Sequence, residues 1–145
     1  MRVCLDTNVL VSAVATRGLC ADLLQVVLAD HRLVLGETVL AELQRVLRRK
    51  LHVPTTTIQE LDTFLRRHAD VVPDAAPLHV LLRDDSDLPV LAEAVAAAAD
   101  VLVTGDADLL IAANKSPVAS LAPRAFWELL RRGATARAAA TPGKE

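Results

Sequence analysis

Apolar positions along this chain fall into two kinds of pattern. Val3-Cys4-Leu5, Leu33-Val34-Leu35 and Val101-Leu102-Val103 are short, uniformly apolar runs. They are closed by Asp6-Thr7-Asn8, by Gly36 and by Thr104-Gly105-Asp106, residue types that favour turns and helix starts. Strands without polar alternation are what a parallel sheet covered on both faces requires. The stretches between them carry helical spacing. A short helix is predicted over 9–15, broken at Thr16-Arg17-Gly18. A second follows, with Leu19, Leu23, Leu24, Val27 and Leu28 on one stripe.

The clearest amphipathic helix spans 38–49, where Val39, Leu40, Leu43, Val46 and Leu47 share a face. Another runs from Thr55 to about Arg67, with Ile58, Leu61, Phe64 and Leu65 inward. Pro73 and Pro77 limit 70–83 to one short strand and a loop. Pro89 suits the first turn of a helix, which extends to about Ala98 and is nearly all Ala, Val and Leu, hence buried. After Asp106 come a short helix, a weak apolar run near Val118 and a last helix from Pro123 to Arg132. Strands alternating with helices predict an α/β fold: a three-layer α/β/α sandwich with a central parallel sheet. One domain is expected over 1–132. Residues 133–145, rich in Ala, Gly, Thr and Pro with no apolar face, are expected to form a flexible C-terminal tail.

Composition narrows the function classes. The chain has 145 residues, enough for one domain with a real core, and a net charge of −2. A protein that gripped nucleic acid by phosphate neutralisation alone would be more basic. Phe64, Phe126 and Trp127 are the only aromatic residues among the Phe, Trp and Tyr positions, too few for a base-stacking platform. Cys4 and Cys20 have no metal or redox spacing and read as free thiols of a reducing compartment. The N-terminal apolar run is interrupted by Asp6 and Asn8, unlike a signal peptide. No uncharged apolar stretch reaches the roughly 18 residues of a membrane span. A cytoplasmic protein without membrane contact is expected.

The acids supply the candidate chemistry. Ligands of open parallel sheets bind beyond the carboxyl ends of strands. Asp6 and Asp106 follow two of the apolar strands, and Asp87 opens the Ala-rich helix. Each of them also suits helix capping. Glu42 borders the apolar stripe of its helix, with Arg45 and Arg49 along the same edge, so on pattern alone a surface ion pair with Arg45 accounts for it slightly better than a site role. Crowded carboxylates repel one another, and a divalent cation relieves that repulsion. Mg²⁺ takes oxygen ligands and shares substrate phosphate oxygens. Two such ions about 3.5–4 Å apart clamp the attacking and leaving oxygens of a phosphodiester. His31, His52, His68 and His79 are scattered, without the i, i+4 pairing of a zinc site.

Taken in order, four segments resemble the PIN-domain family. Asp6-Thr7-Asn8 after the first strand resembles its opening motif, and the acid of Thr38-Val39-Leu40-Ala41-Glu42-Leu43 its second. Arg83-Asp84-Asp85-Ser86-Asp87-Leu88-Pro89-Val90-Leu91 resembles the third segment, and Val103-Thr104-Gly105-Asp106-Ala107-Asp108 lies in the fourth. The resemblance covers roughly residues 1 to 132. It implies a metal-dependent ribonuclease using Mg²⁺ or Mn²⁺, similar to the VapC-type toxins of bacterial toxin–antitoxin pairs. It further implies an RNA substrate, a cognate antitoxin partner and a homodimer joined through the exposed apolar parts of the helical region before Pro73. Carried over position by position, Asp6, Glu42, Asp87 and Asp106 are the metal-binding acids, Asn8 and Thr104 support them, and Asp108 is a further acid. The third segment departs from the family's Asp-Pro-Asp-Asp-Asn run at Asp85, Ser86 and Leu88. Two rivals share the fold class: a PIN-like module that binds RNA or protein without cutting, and a phosphoacceptor receiver domain. The receiver reading lacks an acid after Leu33–Leu35 and has only Lys115 as its downstream lysine.

Overall fold

The computed structural model describes residues 1–73, 88–113 and 116–140. Its strands are β1 (Arg2–Leu5), β2 (Arg32–Gly36), β3 (Ala69–Val72), β4 (Val101–Val103) and β5 (Ala119–Leu121). All pair in parallel, in the order β3-β2-β1-β4-β5. Val3, Cys4 and Leu5 are all buried, as are Leu33, Val34 and Leu35. Successive strand side chains point to opposite faces, so both faces of the sheet are covered. The expected central parallel sheet between helical layers is what the chain forms.

The helices are α1 (Thr7–Ala15), α2 (Leu19–Asp30), α3 (Glu37–Arg49), α4 (Thr55–His68), α5 (Leu88–Ala96), α6 (Ala107–Ala113) and α7 (Pro123–Ala140). The stripe predicted for α3 is the one buried: Val39, Leu40, Leu43 and Leu47 are in the core. In α4 only Ile58 and Leu65 are fully buried, and Phe64, expected inward, is exposed with its ring 4.5 Å from that of His68. Among the described residues no single helix is long and apolar enough to cross a membrane.

Two elements depart furthest from expectation. The weak run near Val118 becomes β5, an edge strand beside β4. The last helix does not stop at Arg132 but continues to Ala140. Gly133 and the missing apolar face predict an end at Arg132, whereas Ala, the strongest helix former, fills much of 134–140. Of the strand and loop expected over 70–83, the strand is β3, and the part from 74 onward, including Pro77 and His79, lies outside the described residues, as does Lys115.

The strand order decides where a site can lie. From β1 the chain proceeds outward to β2 and β3, then returns to place β4 on the other side of β1. The connections therefore diverge between β1 and β4, and a crevice opens there at the strands' carboxyl ends.

Candidate active site

Asp6 stands one residue past β1 and Asp106 three residues past β4, so both lie at the carboxyl edge where the topology switches. The backbone carries the sheet ladder slightly beyond the strands. Asp6 N donates to Val103 O at 2.9 Å, and Thr104 N to Leu121 O at 3.0 Å. The two acids therefore stand at the same edge, on neighbouring strands.

Asp6 is buried, and both its oxygens have partners. Oδ1 accepts from Thr7 N at 2.8 Å, capping α1, and Oδ2 accepts the Thr104 hydroxyl at 2.8 Å. Thr104 is wholly buried. Its hydroxyl oxygen also accepts from Asp106 N at 3.0 Å, linking the two acids through one side chain. Asp106 Oδ1 accepts from Asp108 N at 2.8 Å and Leu109 N at 3.2 Å, capping α6. Capping and a place in the acid cluster thus coexist. The cap occupies one oxygen of Asp106, and Oδ2 makes no hydrogen bond among the described residues.

Glu42 reaches the cluster from α3. The Thr7 hydroxyl donates to its Oε1 at 3.2 Å, and Arg45 Nη2 lies 3.6 Å from its Oε2. The pairing with Arg45 therefore exists alongside the contact toward the site. Burial raises the Asp6 carboxyl pKa above the usual carboxylate range. Hydrogen bonds from Thr104 and Thr7 pull it back, while the charges of Glu42 and Asp106 push it further up. The first, second and fourth acidic segments thus act on one another electrostatically. Asp87 lies outside the described residues. Asn8 is exposed in the first turn of α1 and Asp108 exposed in the first turn of α6. Neither side chain makes a hydrogen bond among the described residues.

Two residues were missed by sequence reasoning. Thr7, buried, bridges toward Glu42, although Asn8 was the member of Asp6-Thr7-Asn8 assigned a supporting role. Glu93 is 1% exposed within α5. Its Oε2 accepts from Thr38 N at 3.1 Å, serving the N-terminus of α3, where the cap residue Gly36 has no side chain to do so. A single acid in an otherwise apolar buried helix was the available signal, because a buried carboxylate requires a partner.

Among the described residues no three His, Cys, Asp or Glu side chains are grouped closely enough to hold a metal ion. The donor chemistry nevertheless suits a hard divalent cation. The acids are carboxylates only, and Asp6 is disfavoured as an anion first by burial and then by the charges of Glu42 and Asp106.

A five-stranded parallel sheet with acids gathered at its switch point makes this an α/β protein of the kind to which PIN domains belong. The sequence profile of the PIN domain matches residues 2–108, and the chain belongs to that family. No curated protein sequence matches it. Among solved structures, VapBC2 from Rickettsia felis, bound to a DNA fragment from their promoter, is similar with a TM-score of 0.61 and 20% identity. The match covers 84% of this chain and 98% of that one. VapBC-1 from nontypeable Haemophilus influenzae has a TM-score of 0.61 and 16% identity, over 86% and 99% of the two chains. At such identities the likeness is one of fold.

Proposed function

We propose that the chain is a metal-dependent endoribonuclease and the toxin of a toxin–antitoxin pair. The observation that carries this reading is the Asp6 carboxylate, buried at the switch point and destabilised as an anion by Glu42 and Asp106. Such an arrangement gains from a divalent cation what it loses to burial. Asp6, Glu42, Asp87 and Asp106 are the proposed ligands for Mg²⁺ or Mn²⁺. When bound, the ion would activate water and neutralise phosphate charge. Thr104 and Thr7 orient Asp6 and Glu42, and the exposed Asn8 and Asp108 are proposed as a further polar support and a further acid of the same site. The partner proposal draws on the two similar structures, both of VapBC assemblies. An antitoxin would cover this edge of the sheet, and the protein would act in the cytoplasm.

The test is cleavage of a structured RNA by wild type and Asp6→Asn, with Mg²⁺, Mn²⁺ or EDTA. Wild type is expected to cut only with metal, and Asp6→Asn to lose activity while keeping its fold. A fully active variant, or cleavage persisting in EDTA, overturns the assignment. RNA binding without cleavage by wild type would point to the non-catalytic module, a reading that the altered third segment favours. A homodimer is also proposed, through Leu51 and Phe64, which are exposed at the end of α3 and on α4. Light scattering that finds only monomer over a wide concentration range excludes it.

A further inference from the structure

Arg45 is held differently from the other ion-paired arginines. Arg66 lies 2.7 Å from Glu37 and 2.9 Å from Asp62, and Arg2 lies 3.0 Å from Asp70. Arg32 also closes tightly on Asp70. Arg45 stands 3.6 Å from Glu42, beyond hydrogen-bonding distance, with its side chain 55% exposed. Its one ion-pair partner among the described residues is a proposed metal ligand. A Glu42 oxygen given to a cation is no longer available to hold the guanidinium.

The surroundings of this pair form a hollow. An open cavity of about 370 Å³ is lined by Glu37, Thr38, Ala41, Glu42 and Arg45. These positions share one side of α3, so the hollow runs along the helix and joins the acid site at Glu42. Beyond Arg45 the same side continues to Arg49, seven residues after Glu42 and nearly in line with it at 3.6 residues per turn. Arg49 is exposed and makes no ion pair among the described residues. From Glu42 to Arg49 the axial rise is about 10 Å. The helix thus presents an acid at the cluster, then two guanidinium groups in sequence along one open side.

We infer that Arg45 and Arg49 form a phosphodiester track leading a single RNA strand along α3 into the acid site. This rests on the ribonuclease reading above. The charge pattern favours this occupant. A chain of net charge −2 with an acidic centre repels a polyanion except where local cations offset it, and guanidinium groups suit phosphate oxygens. Arg48 and Lys50 also belong to the basic end of α3, where the macrodipole favours cations. That preference explains positive charge at the helix end. It does not explain Arg45, in mid-helix beside the hollow.

The experiment measures initial rates of cleavage of a mixed-sequence single-stranded RNA in Mg²⁺ at several salt concentrations. Wild type is compared with Arg45→Gln, Arg49→Gln and the double variant. Arg132→Gln, exposed on α7, which follows β5 at the sheet edge away from β2 and β3, is the control. Each track variant is expected to raise KM about threefold to tenfold at low salt, alike for different sequences, with a smaller change in kcat. The salt dependence of log KM should become shallower by about 0.7 per arginine removed. Arg132→Gln should match wild type. If the track variants cleave with wild-type KM and wild-type salt dependence, the track is overturned and the ribonuclease reading stands. If wild type does not cleave RNA with Mg²⁺ or Mn²⁺, the ribonuclease reading fails and the track fails with it.

Discussion

Thr104 shows how much a single hydroxyl can arrange. It donates to Asp6 Oδ2 and accepts from Asp106 N, so both acids are positioned by one wholly buried side chain. Val has nearly the same shape and neither capacity. Thr104→Val should therefore cost about 1–3 kcal/mol, the range for leaving buried polar groups unsatisfied. It also removes a hydrogen bond that lowers the Asp6 pKa. The folded-state pKa then rises further above the unfolded value, which penalises the ionised form. The loss relative to wild type should be full at pH values above both folded pKa values, and should shrink as falling pH protonates Asp6. Urea unfolding in metal-free buffer at pH 7 and at mildly acidic pH measures it. A loss that does not shrink on acidification would count against the coupling. The meeting of Asp6 and Asp106 at one sheet edge was legible because acids after uniformly apolar strands are conspicuous. The Thr7 bridge was not, because a threonine at a helix start is already accounted for by local turn preference.

At the scale of elements, periodicity worked best where burial is one-sided or complete. The α3 stripe and the strand Val101–Val103 were found where they occur. Exposed Phe64 shows where it fails, since spacing says which residues share a face but not whether anything covers them. Gly36 is more instructive. It closes β2 as expected, yet its φ of −95° is ordinary for any amino acid. What it supplies is room. A Cβ there would overlap the Glu93 carboxyl group and stand 2.7 Å from Glu93 Cβ. Sequence spacing cannot reveal a contact between residues so far apart in the chain. Gly36→Ala should displace α5 from β2, or Glu93 from the α3 N-terminus, at a cost of about 3 kcal/mol. Thermal denaturation should show a marked fall in Tm, and an unchanged Tm would mean that α5 yields easily.

At the scale of the whole molecule, the two edges of the sheet are specialised. The carboxyl edge gathers acids that repel. The opposite edge is held by attraction. Arg2 reaches Asp70 at 3.0 Å and Ala97 O at 2.8 and 3.0 Å, and its backbone N donates to Asp100 at 2.7 Å. Arg32 binds the other Asp70 oxygen. β1, β2, β3 and the end of α5 are thus tied together where the strands begin. The bond to Arg32, followed by that to Arg2, lowers the Asp70 pKa to about 2. A depressed folded-state pKa stabilises the protein above the unfolded value, roughly 3.9 for Asp, and that contribution is lost as pH falls through about 2. Asp70→Asn should therefore reduce stability at pH 7 and approach wild type near pH 2. Solvent screening of this partly exposed cluster should hold the loss at neutral pH to about 1 kcal/mol. Denaturant titrations at both pH values decide it. An equal loss at both would show that shape rather than charge is at work.

The central position of β1 also gives the molecule a clock. Cys4 lies in the middle of the middle strand, and burial pushes its thiol pKa up to about 12, helped by the charges of Asp6 and Glu93. In the native state it is neither ionised nor reachable, so a thiol reagent can capture it only during moments when the sheet parts. In a Cys20→Ser background, the rate of Cys4 labelling counts those moments directly. Followed with and without Mg²⁺, it reports whether a cation at the carboxyl edge holds the sheet closed, with no nucleic acid or nuclease assay involved.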